Sequence, residues 1–442
     1  MNLNGGSASA IIDTGDVTYE IENASISGVS QKGPFVKGAT VTAYELDGSK
    51  SLLQTGRTFS GNITQDDGRF NLSNVTLKSS YVRLSANGYY RNEVTGKNST
   101  SPITLNAVTD LDARNTVNVN LLTHLEYDRV AHLMAAGDGT QKIKNLKKQA
   151  EQEIFDAFHI NATGFGYSED LDVFGSSEAD AALLAISILL QGDRTESQLT
   201  ELLTDFSNDL GKDGTWDDAI TKKQIAADML ERDLDKSLAA YRNNVRKWGI
   251  STTVPDFEKF VRRYAGVENG LGVCGSDSVP VGTVKHVTND KSSYYASSYL
   301  NPAFENAGGK IRFICVDADS AKWRIATDIE KDTMGWGHSF AEGTVKNGSI
   351  NANLTYVYQN NNWRLGTSLD SLLVNAGGKA CFKAGDTSAV KYNDVYYVCT
   401  ANTDGPCVGG KRLPTSTTTL TSHENSARRV DSMVTDRFLW AA

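Results

Sequence analysis

Proline, long apolar runs and an excess of positive charge are all missing from this chain. Its 442 residues include only 7 prolines beside 39 glycines, which excludes proline-rich and collagen-like architectures. Acidic side chains outnumber basic ones by 53 to 44, so the formal net charge is −9. This balance argues against a nucleic-acid partner, because proteins that bind along phosphates usually carry a basic face.

No segment has the length and apolar character of a membrane span. The longest apolar run, residues 181–190 (AALLAISILL), is about half of the ~20 residues that a spanning helix needs. It predicts a buried helix instead. The first 31 residues contain no Lys or Arg, so we expect no signal peptide there, and residues 1–25 are interpreted as a linker.

Motifs of common catalytic and cofactor sites are also missing. The sequence has no HExxH, no GxSxG elbow, no P-loop and no GxGxxG following a strand, so no cofactor is predicted. His124, Glu126, Asp128 and His132 share a predicted helix. His124 and His132 would lie roughly 12 Å apart along it, too far to chelate one ion, and we predict no metal site.

The hydrophobic pattern changes its period twice along the chain. Residues 26–115 alternate apolar and polar side chains between turn signals, which predicts an antiparallel β-sandwich. Residues 116–265 follow the helical period and predict an all-α domain. Residues 266–412 return to short strands, and residues 413–442 are a Ser/Thr-rich linker and C-terminal segment. The predicted fold is therefore multidomain α+β.

An internal repeat organises residues 266–412. Residues 282–285 (GTVK) recur at 343–346, and residues 322–327 (KWRIAT) correspond to 362–367 (NWRLGT). A third copy contains VYYVC, which ends at Cys399, and then GKR, which ends at Arg412. Small β-repeats are expected to follow the helical domain.

All five cysteines lie in this repeat region. Their clustering favours disulfides and an oxidising compartment, with free buried thiols and a metal site as the alternatives. Aligning the copies places Cys381 at the position of Cys274 and Cys399 at the position of Cys315, and the middle copy lacks both. This paired loss predicts the disulfides Cys274–Cys315 and Cys381–Cys399, with Cys407 left over.

Several segments resemble known families. Residues 26–35 (ISGVSQKGPF) and 38–44 (GATVTAY) are similar to the start of carboxypeptidase-regulatory-like sandwiches. With residues 88–96 (GYYRNEVTG), 121–127 (LLTHLEY) and the Trp-Arg repeats, they resemble the paralogous surface lipoproteins of Fibrobacter-type plant-fibre-degrading bacteria. The resemblance implies a secreted protein at an extracellular or outer-membrane surface, with a lipid anchor upstream of this chain.

Aromatic residues of the repeats are the candidates for binding carbohydrate. They are Trp336, Tyr356, Tyr358, Trp363, Tyr294 and Tyr295. Flat rings stack on the apolar face of a sugar, and neighbouring amides bind its hydroxyls. In the alternative interpretation, Trp363 and its counterpart Trp323 are the buried core residues that each repeat needs.

A Lys–Asn isopeptide bond is a further expectation for the first sandwich. Such a bond needs a Lys on the first strand, an Asn on the last strand and a buried acid between them. Lys32, Asn106 and Glu93 fit this order. In the alternative interpretation, these residues are an ordinary surface lysine and a turn asparagine.

The expected function is a non-catalytic cell-surface protein that binds plant-cell-wall polysaccharide. Weak sites repeated along one chain give avidity, which suits a repeat region. The expected partner is polysaccharide or another cell-surface component. The alternatives are a glycoside hydrolase that uses a carboxylate pair, whose members the sequence does not identify, and a structural spacer.

Overall fold

The computed structural model of the chain describes residues 12–13, 16–17, 20–137, 142–230, 234–251, 253–288, 310–333, 336, 339–367, 370, 390–392, 395–399 and 410–413. The chain divides into two compact units. The first holds residues 1–281, 287–311 and 315–323, and the second holds residues 282–286, 312–314 and 324–442.

Two β-sheets lie in the N-terminal part of the first unit. Their strands are β3 (Ile21–Gln31), β4 (Thr40–Leu46), β5 (Gln54–Asn62), β6 (Arg69–Leu77), β7 (Tyr81–Gly88), β8 (Ile103–Asp110) and β9 (Val119–Asn120), after a short hairpin of β1 (Ile12–Asp13) and β2 (Asp16–Val17). One sheet has the order β6-β3-β9 and the other the order β5-β4-β7-β8. All pairings are antiparallel except β3 with β9, which is parallel.

The period-two pattern of these strands explains which face is buried. In β7, Val82, Leu84 and Ala86 are fully buried, whereas the side chains between them are half-buried. Leu84 and Ala86 pair in register with Ala107 and Leu105 of β8, which are also fully buried. Alternate side chains of a strand point to opposite faces, so one face of this sheet forms part of the core.

Seven α-helices complete the first unit among the described residues. They are α1 (Leu121–Ala136), α2 (Ile143–Ala157), α3 (Glu178–Gln191), α4 (Glu196–Asp213), α5 (Ala219–Leu230), α6 (Leu234–Lys247) and α7 (Glu258–Glu268). Capping boxes that begin at Asn120, Ser177 and Thr195 fix the starts of α1, α3 and α4. Helix α3 is buried on all sides, as the apolar run 181–190 predicts.

The sheets and the helices of the first unit pack against each other in shared hydrophobic clusters. A single cluster of buried apolar side chains runs from Ile26 in β3 to Ala265 in α7. The predicted boundary between residues 115 and 116 therefore falls inside one compact unit. Apolar residues from both segments pack against each other, so neither segment has a separate core.

Each of the three sequence repeats forms a three-stranded sheet. The strands are β10 (Val284–Thr288), β11 (Lys310–Asp317) and β12 (Lys322–Ile325), then β13 (Val345–Asn347), β14 (Thr355–Gln359) and β15 (Asn362–Leu365), then β16 (Val390–Tyr392), β17 (Val395–Cys399) and β18 (Gly410–Leu413). The middle strand in sequence is central in every sheet. With an eighth helix, α8 (Asp328–Asp332), the described residues confirm a mixed α+β fold.

The arginine of the repeated Trp-Arg pair has a structural role. Arg324 donates to Glu330 at 2.6 and 2.8 Å, and Glu330 also caps α8 together with Thr327. This pairing with Arg324 holds the pKa of Glu330 down to about 2. In the next repeat, Arg364 donates to Asp370 at 2.9 Å, and Asp370 accepts from the backbone of Thr367. The arginine, the threonine and the acid thus have the same spacing in both repeats, and they close the turn after the third strand in the same way.

The first predicted disulfide is confirmed. Cys274 and Cys315 are bonded, with their Cα atoms 5.3 Å apart, in a small buried cluster with Val279. Trp323 packs against this cluster, and its indole Nε1 donates to the carbonyl of Gly272 at 3.1 Å. Cys381 and Cys407 lie outside the described residues, and only the backbone of Cys399 is described, so the second pair stays a prediction.

Among the residues that the structure describes, no helix is both long enough and apolar enough to cross a bilayer.

Thiol counting tests the disulfide assignment. If Cys274–Cys315 and Cys381–Cys399 are both closed, one of the five cysteines keeps a thiol. We expect one reactive thiol per chain in unreduced, denatured protein, and none in the Cys407→Ser variant. Full reduction should give five as the control. Three thiols without reduction would contradict the Cys381–Cys399 pair.

Candidate functional site

The middle repeat contains a cluster of five aromatic rings, Trp336, Phe340, Tyr356, Tyr358 and Trp363, here called the aromatic cluster. Tyr356 and Tyr358 alternate along β14 and so share one face of the sheet, and Trp363 pairs in register with Tyr358. Trp363 packs edge-on against Trp336, Phe340 and Tyr358, with ring centroids 4.7, 5.1 and 5.2 Å away.

Burial separates the aromatic cluster into a core and a rim. Tyr356, Tyr358 and Trp363 are only 1%, 1% and 5% exposed, whereas Trp336 and Phe340 are half-buried. The stacking role that the sequence predicts for Tyr356, Tyr358 and Trp363 therefore has to be corrected. Their rings pack against one another as the core of the repeat, and within the aromatic cluster only Trp336 and Phe340 are partly exposed.

A lysine lies over this rim. Lys346 of β13 places Nζ 4.3 Å from the ring centroid of Phe340 and 5.1 Å from that of Trp336. A cation at this distance is attracted by the negative face of the ring. In the sequence, Lys346 stands out only as part of the repeated GTVK segment, and that pattern does not assign it to the site.

Tyr356 is held in place by a buried carboxylate. Its hydroxyl donates to Asp332 Oδ2 at 2.6 Å, and Asp332 Oδ1 accepts the backbone N–H groups of Ile350 and Asn351. Burial opposes ionisation of Asp332, but these hydrogen bonds prevail and lower its pKa. The Asp332 carboxylate thus joins α8 to the loop before β14 and holds Tyr356 in the core of the aromatic cluster.

Two of the six predicted carbohydrate-binding residues cannot be placed. Tyr294 and Tyr295 lie outside the described residues. Trp323, the counterpart of Trp363, is half-buried beside the disulfide and hydrogen-bonded through its indole. The structure therefore brings together four predicted aromatic residues and adds Phe340 and Lys346 to them.

Lys32 and Glu93, which were predicted to be neighbours, are in contact. Lys32 follows β3, Glu93 follows β7, and both side chains are fully buried. Lys32 Nζ contacts Glu93 Oε1 and donates to Ser187 Oγ of α3 at 2.9 Å. Gly33 allows this close approach, since a Cβ atom there would lie 2.1 Å from the carbonyl oxygen of Arg91.

Asn106 does not join this pair. Leu105 and Ala107 on either side of it face the core, so Asn106 lies on the opposite face of the sheet, where it pairs with Ser85. Lys32 makes its contacts with Glu93 and Ser187 instead. The order of residues along the chain suited an isopeptide bond, but the faces of the strands do not.

Three buried glutamates surround a second buried lysine. Carboxylate oxygens of Glu126, Glu151 and Glu169 lie within 4.8 Å of one another. Lys147 Nζ occupies the centre: it contacts Glu126 Oε1, lies 2.8 Å from Glu169 Oε2 and donates to the Val108 carbonyl at 3.0 Å. An ammonium group thus already takes the place where a cation would bind. No spacing in the sequence pointed to this cluster.

Burial and pairing make the three carboxylates of this cluster differ in pKa. Burial, together with Glu151 and Glu169, raises the pKa of Glu126 to about 8 although Lys147 opposes the shift. Glu126 Oε2 is buried without a hydrogen-bond partner. Glu169 has a lowered pKa despite its burial, because Lys147 and Arg114 both stabilise its charge. Near neutral pH, Glu126 is the acid that keeps its proton.

The four residues of α1 that were considered as metal ligands, His124, Glu126, Asp128 and His132, do not come together at one site. Among them, only Glu126 belongs to the buried glutamate cluster. His124 is half-buried, and burial lowers its pKa to about 4, whereas Asp128 and His132 are exposed on other parts of α1. The buried residues of α1 thus take part in packing and ion pairing.

The chain was also compared with known proteins. No family model, no curated protein and no solved structure matches it. The resemblance to surface lipoproteins therefore remains a prediction, and the function has to be argued from the geometry.

Removing the charge of only one partner of the Lys32–Glu93 pair should strongly destabilise the folded protein. Glu93→Gln leaves a fully buried ammonium without its counter-charge, so we expect the free energy of unfolding to fall by about 3–5 kcal/mol. Urea unfolding followed by circular dichroism measures this. The double variant Lys32→Met, Glu93→Leu should lose less than Glu93→Gln alone, because no charge remains buried.

An exposed ion pair provides the matched control for that experiment. Glu178 pairs with Lys259 and is 59% exposed, so Glu178→Gln should cost less than about 1 kcal/mol. A Glu93→Gln variant as stable as this control would contradict the role given to the Lys32–Glu93 pair.

The glutamate cluster should make stability depend on pH. Because the pKa of Glu126 is raised to about 8 on folding, folding takes up a proton between the ordinary carboxyl value and pH 8. The contribution of Glu126 to the free energy of unfolding is greatest below about pH 4.5. It falls as the pH rises to 8, by at most about 1.4 kcal/mol per pH unit. Denaturation midpoints measured between pH 5 and 8 test this.

Glu126→Gln should flatten that pH dependence, since the amide cannot ionise. Glu201→Gln, at an exposed position of α4, serves as the control and should keep the wild-type slope. An identical slope in Glu126→Gln and wild type would show that Glu126 does not titrate in this range.

Proposed function

We propose that the chain is a non-catalytic binding protein of the cell exterior that attaches to plant-cell-wall polysaccharide through its β-repeats. In this proposal, the two N-terminal sheets form the predicted sandwich, and the protein belongs with the surface lipoproteins that it resembles. The observation that carries the proposal is the rim of the middle repeat, where Trp336 and Phe340 are half-buried beneath the ammonium of Lys346.

The chemistry of this rim suits a sugar. An aromatic face accepts the apolar C–H face of a pyranose, and a nearby ammonium donates hydrogen bonds to ring substituents. The aromatic core beneath, with Tyr356 bonded to Asp332, keeps both rings in position. A site whose rings are fixed before binding loses little conformational entropy when a ligand arrives.

Repetition supports the same function. Three sheets of the same strand order follow one another along the chain, and each begins with a strand that carries a lysine at its second position. Sites that are weak alone bind a polymer strongly when several engage it together. The Cys274–Cys315 disulfide fits a chain that works in an oxidising compartment.

The glycosidase alternative has weaker support from the geometry. A glycosidase presents two carboxylates to a cleft that admits the sugar chain. The closest group of carboxylates found here, Glu126, Glu151 and Glu169, is buried and already bonded to Lys147 and its neighbours. A shallow depression beside α4 carries Glu201 and Asp205, which would be the first acids to replace if the protein released sugars.

A pull-down with two readouts tests the proposal. The protein is mixed with insoluble cellulose, xylan, mixed-linkage glucan, mannan and pectin, and its depletion and the reducing ends released are measured. We expect depletion by at least one polysaccharide without new reducing ends. Trp336→Ala should weaken binding by about tenfold or more, which corresponds to the loss of roughly one ring contact.

Controls separate loss of binding from loss of folding. Tyr89 is 48% exposed and belongs to the first unit, so Tyr89→Ala removes an exposed aromatic residue that is not part of the repeats and should bind like wild type. Near-ultraviolet circular dichroism reports whether the aromatic cluster of the Trp336→Ala variant remains packed. Release of reducing ends would overturn the non-catalytic proposal, and absence of depletion by every polysaccharide would overturn polysaccharide binding itself.

A further inference from the structure

We infer that the polysaccharide is an acidic one, and that lysines at one repeated register position bind its uronate carboxylates. The inference rests on the proposed function and specifies its ligand class. Lys346 is the second residue of β13, and Lys285 and Lys391 are the second residues of β10 and β16. Each repeat therefore begins its sheet with a lysine at the same place.

The register of the strands places aromatic residues opposite these lysines. Lys346 pairs with Tyr356 across β13 and β14, and Lys391 pairs with Tyr396 across β16 and β17. The spacing of lysine and tyrosine is thus reproduced in two repeats. A repeated unit keeps a residue pair at one register when the pair serves the same purpose in each copy.

Lys346 and Lys285 have no acidic partner within the part of the chain that the structure describes, where the ion pairs of the repeats involve other residues. The arginines of the Trp-Arg pairs are already engaged: Arg324 with Glu330 and Arg364 with Asp370. Lys346 lies over ring faces but has no acidic partner among the described residues, so its charge can pair with an anionic ligand.

The distances around Lys346 match a uronic acid residue. A uronate has an apolar C–H face and a carboxylate at the edge of the same ring. Lys346 Nζ lies over the rings of Phe340 and Trp336, 4.3 and 5.1 Å from their centroids, so a uronate whose carboxylate pairs with the ammonium is brought into contact with this rim. Such a charge-assisted hydrogen bond is about twice as strong as a neutral one.

Because the protein carries a negative net charge, a preference for acidic polysaccharide would report on local contacts. With a net charge of −9, the protein as a whole repels a polyanion, so any preference for an acidic polysaccharide has to arise from local contacts. Replacing one local lysine should then reduce the preference strongly, whereas replacing a lysine elsewhere in the repeats should not.

Pectins of the same backbone provide the test. Affinity gel electrophoresis compares de-esterified polygalacturonate with fully methyl-esterified pectin, which has the same sugars without the charge. We expect wild type to bind polygalacturonate at least tenfold more tightly, with a preference that declines as salt rises from 50 to 500 mM. Lys346→Met should lose most of this preference, and Lys346→Arg should retain it.

Lys331→Met is the control variant. Lys331 belongs to α8 and pairs with Asp328, so its replacement removes an equal charge from the second unit without touching the rim. It should bind like wild type. Near-ultraviolet circular dichroism confirms that each variant keeps its packed aromatic cluster.

The outcomes separate the two proposals. Equal binding to polygalacturonate and esterified pectin, or binding to neutral polysaccharides only, would overturn the uronate inference and leave polysaccharide binding intact. A wild-type preference in Lys346→Met would overturn the assignment of Lys346. No binding to any of these polysaccharides would instead overturn the proposed function on which the inference rests.

Discussion

The first unit depends on a lysine ammonium that is closed off from water between Glu93 and Ser187. A buried ion costs several kcal/mol unless its partners are in place, so the turn after β3, the loop after β7 and the middle of α3 have to assemble together. This coupling explains why the sheets and helices form one core. Lys147 repeats the arrangement by joining α2 to the carbonyl of Val108 in β8.

These ion networks also constrain what the first unit does. Buried, strongly coupled carboxylates are candidates for catalytic acids or metal ligands, and this description fits Glu126, Glu151 and Glu169. Each of them already bonds to a lysine or to the backbone, and the cluster is enclosed by α1, α2 and the turn before α3. Their perturbed ionisation is therefore explained by their burial and pairing in the folded unit.

Local patterns in the sequence predicted much of the fold, whereas long-range pairing remained hidden. Strand alternation, the buried run 181–190 and the three repeats all follow from side chains close in sequence, and the Cys274–Cys315 bond followed from comparing the copies. Ser187 was visible as the single polar break in that run, but its partner Lys32 lies 155 positions away. The aromatic site was only partly predicted. Sequence spacing indicates that the aromatic residues cluster, but it does not indicate which of them faces solvent.

The repeats divide their recurring residues between structure and surface. Arginine, threonine and an acid at fixed spacing close the turn after the third strand, with the same bonds in both copies where they are described. The tryptophan and tyrosines fill the small core. Once these roles are assigned, Lys285 and Lys346 remain without an acidic partner among the described residues. The negative ring faces hold Lys346 in place but do not neutralise its charge. The proposed anionic, repeating ligand would supply the missing counter-charge.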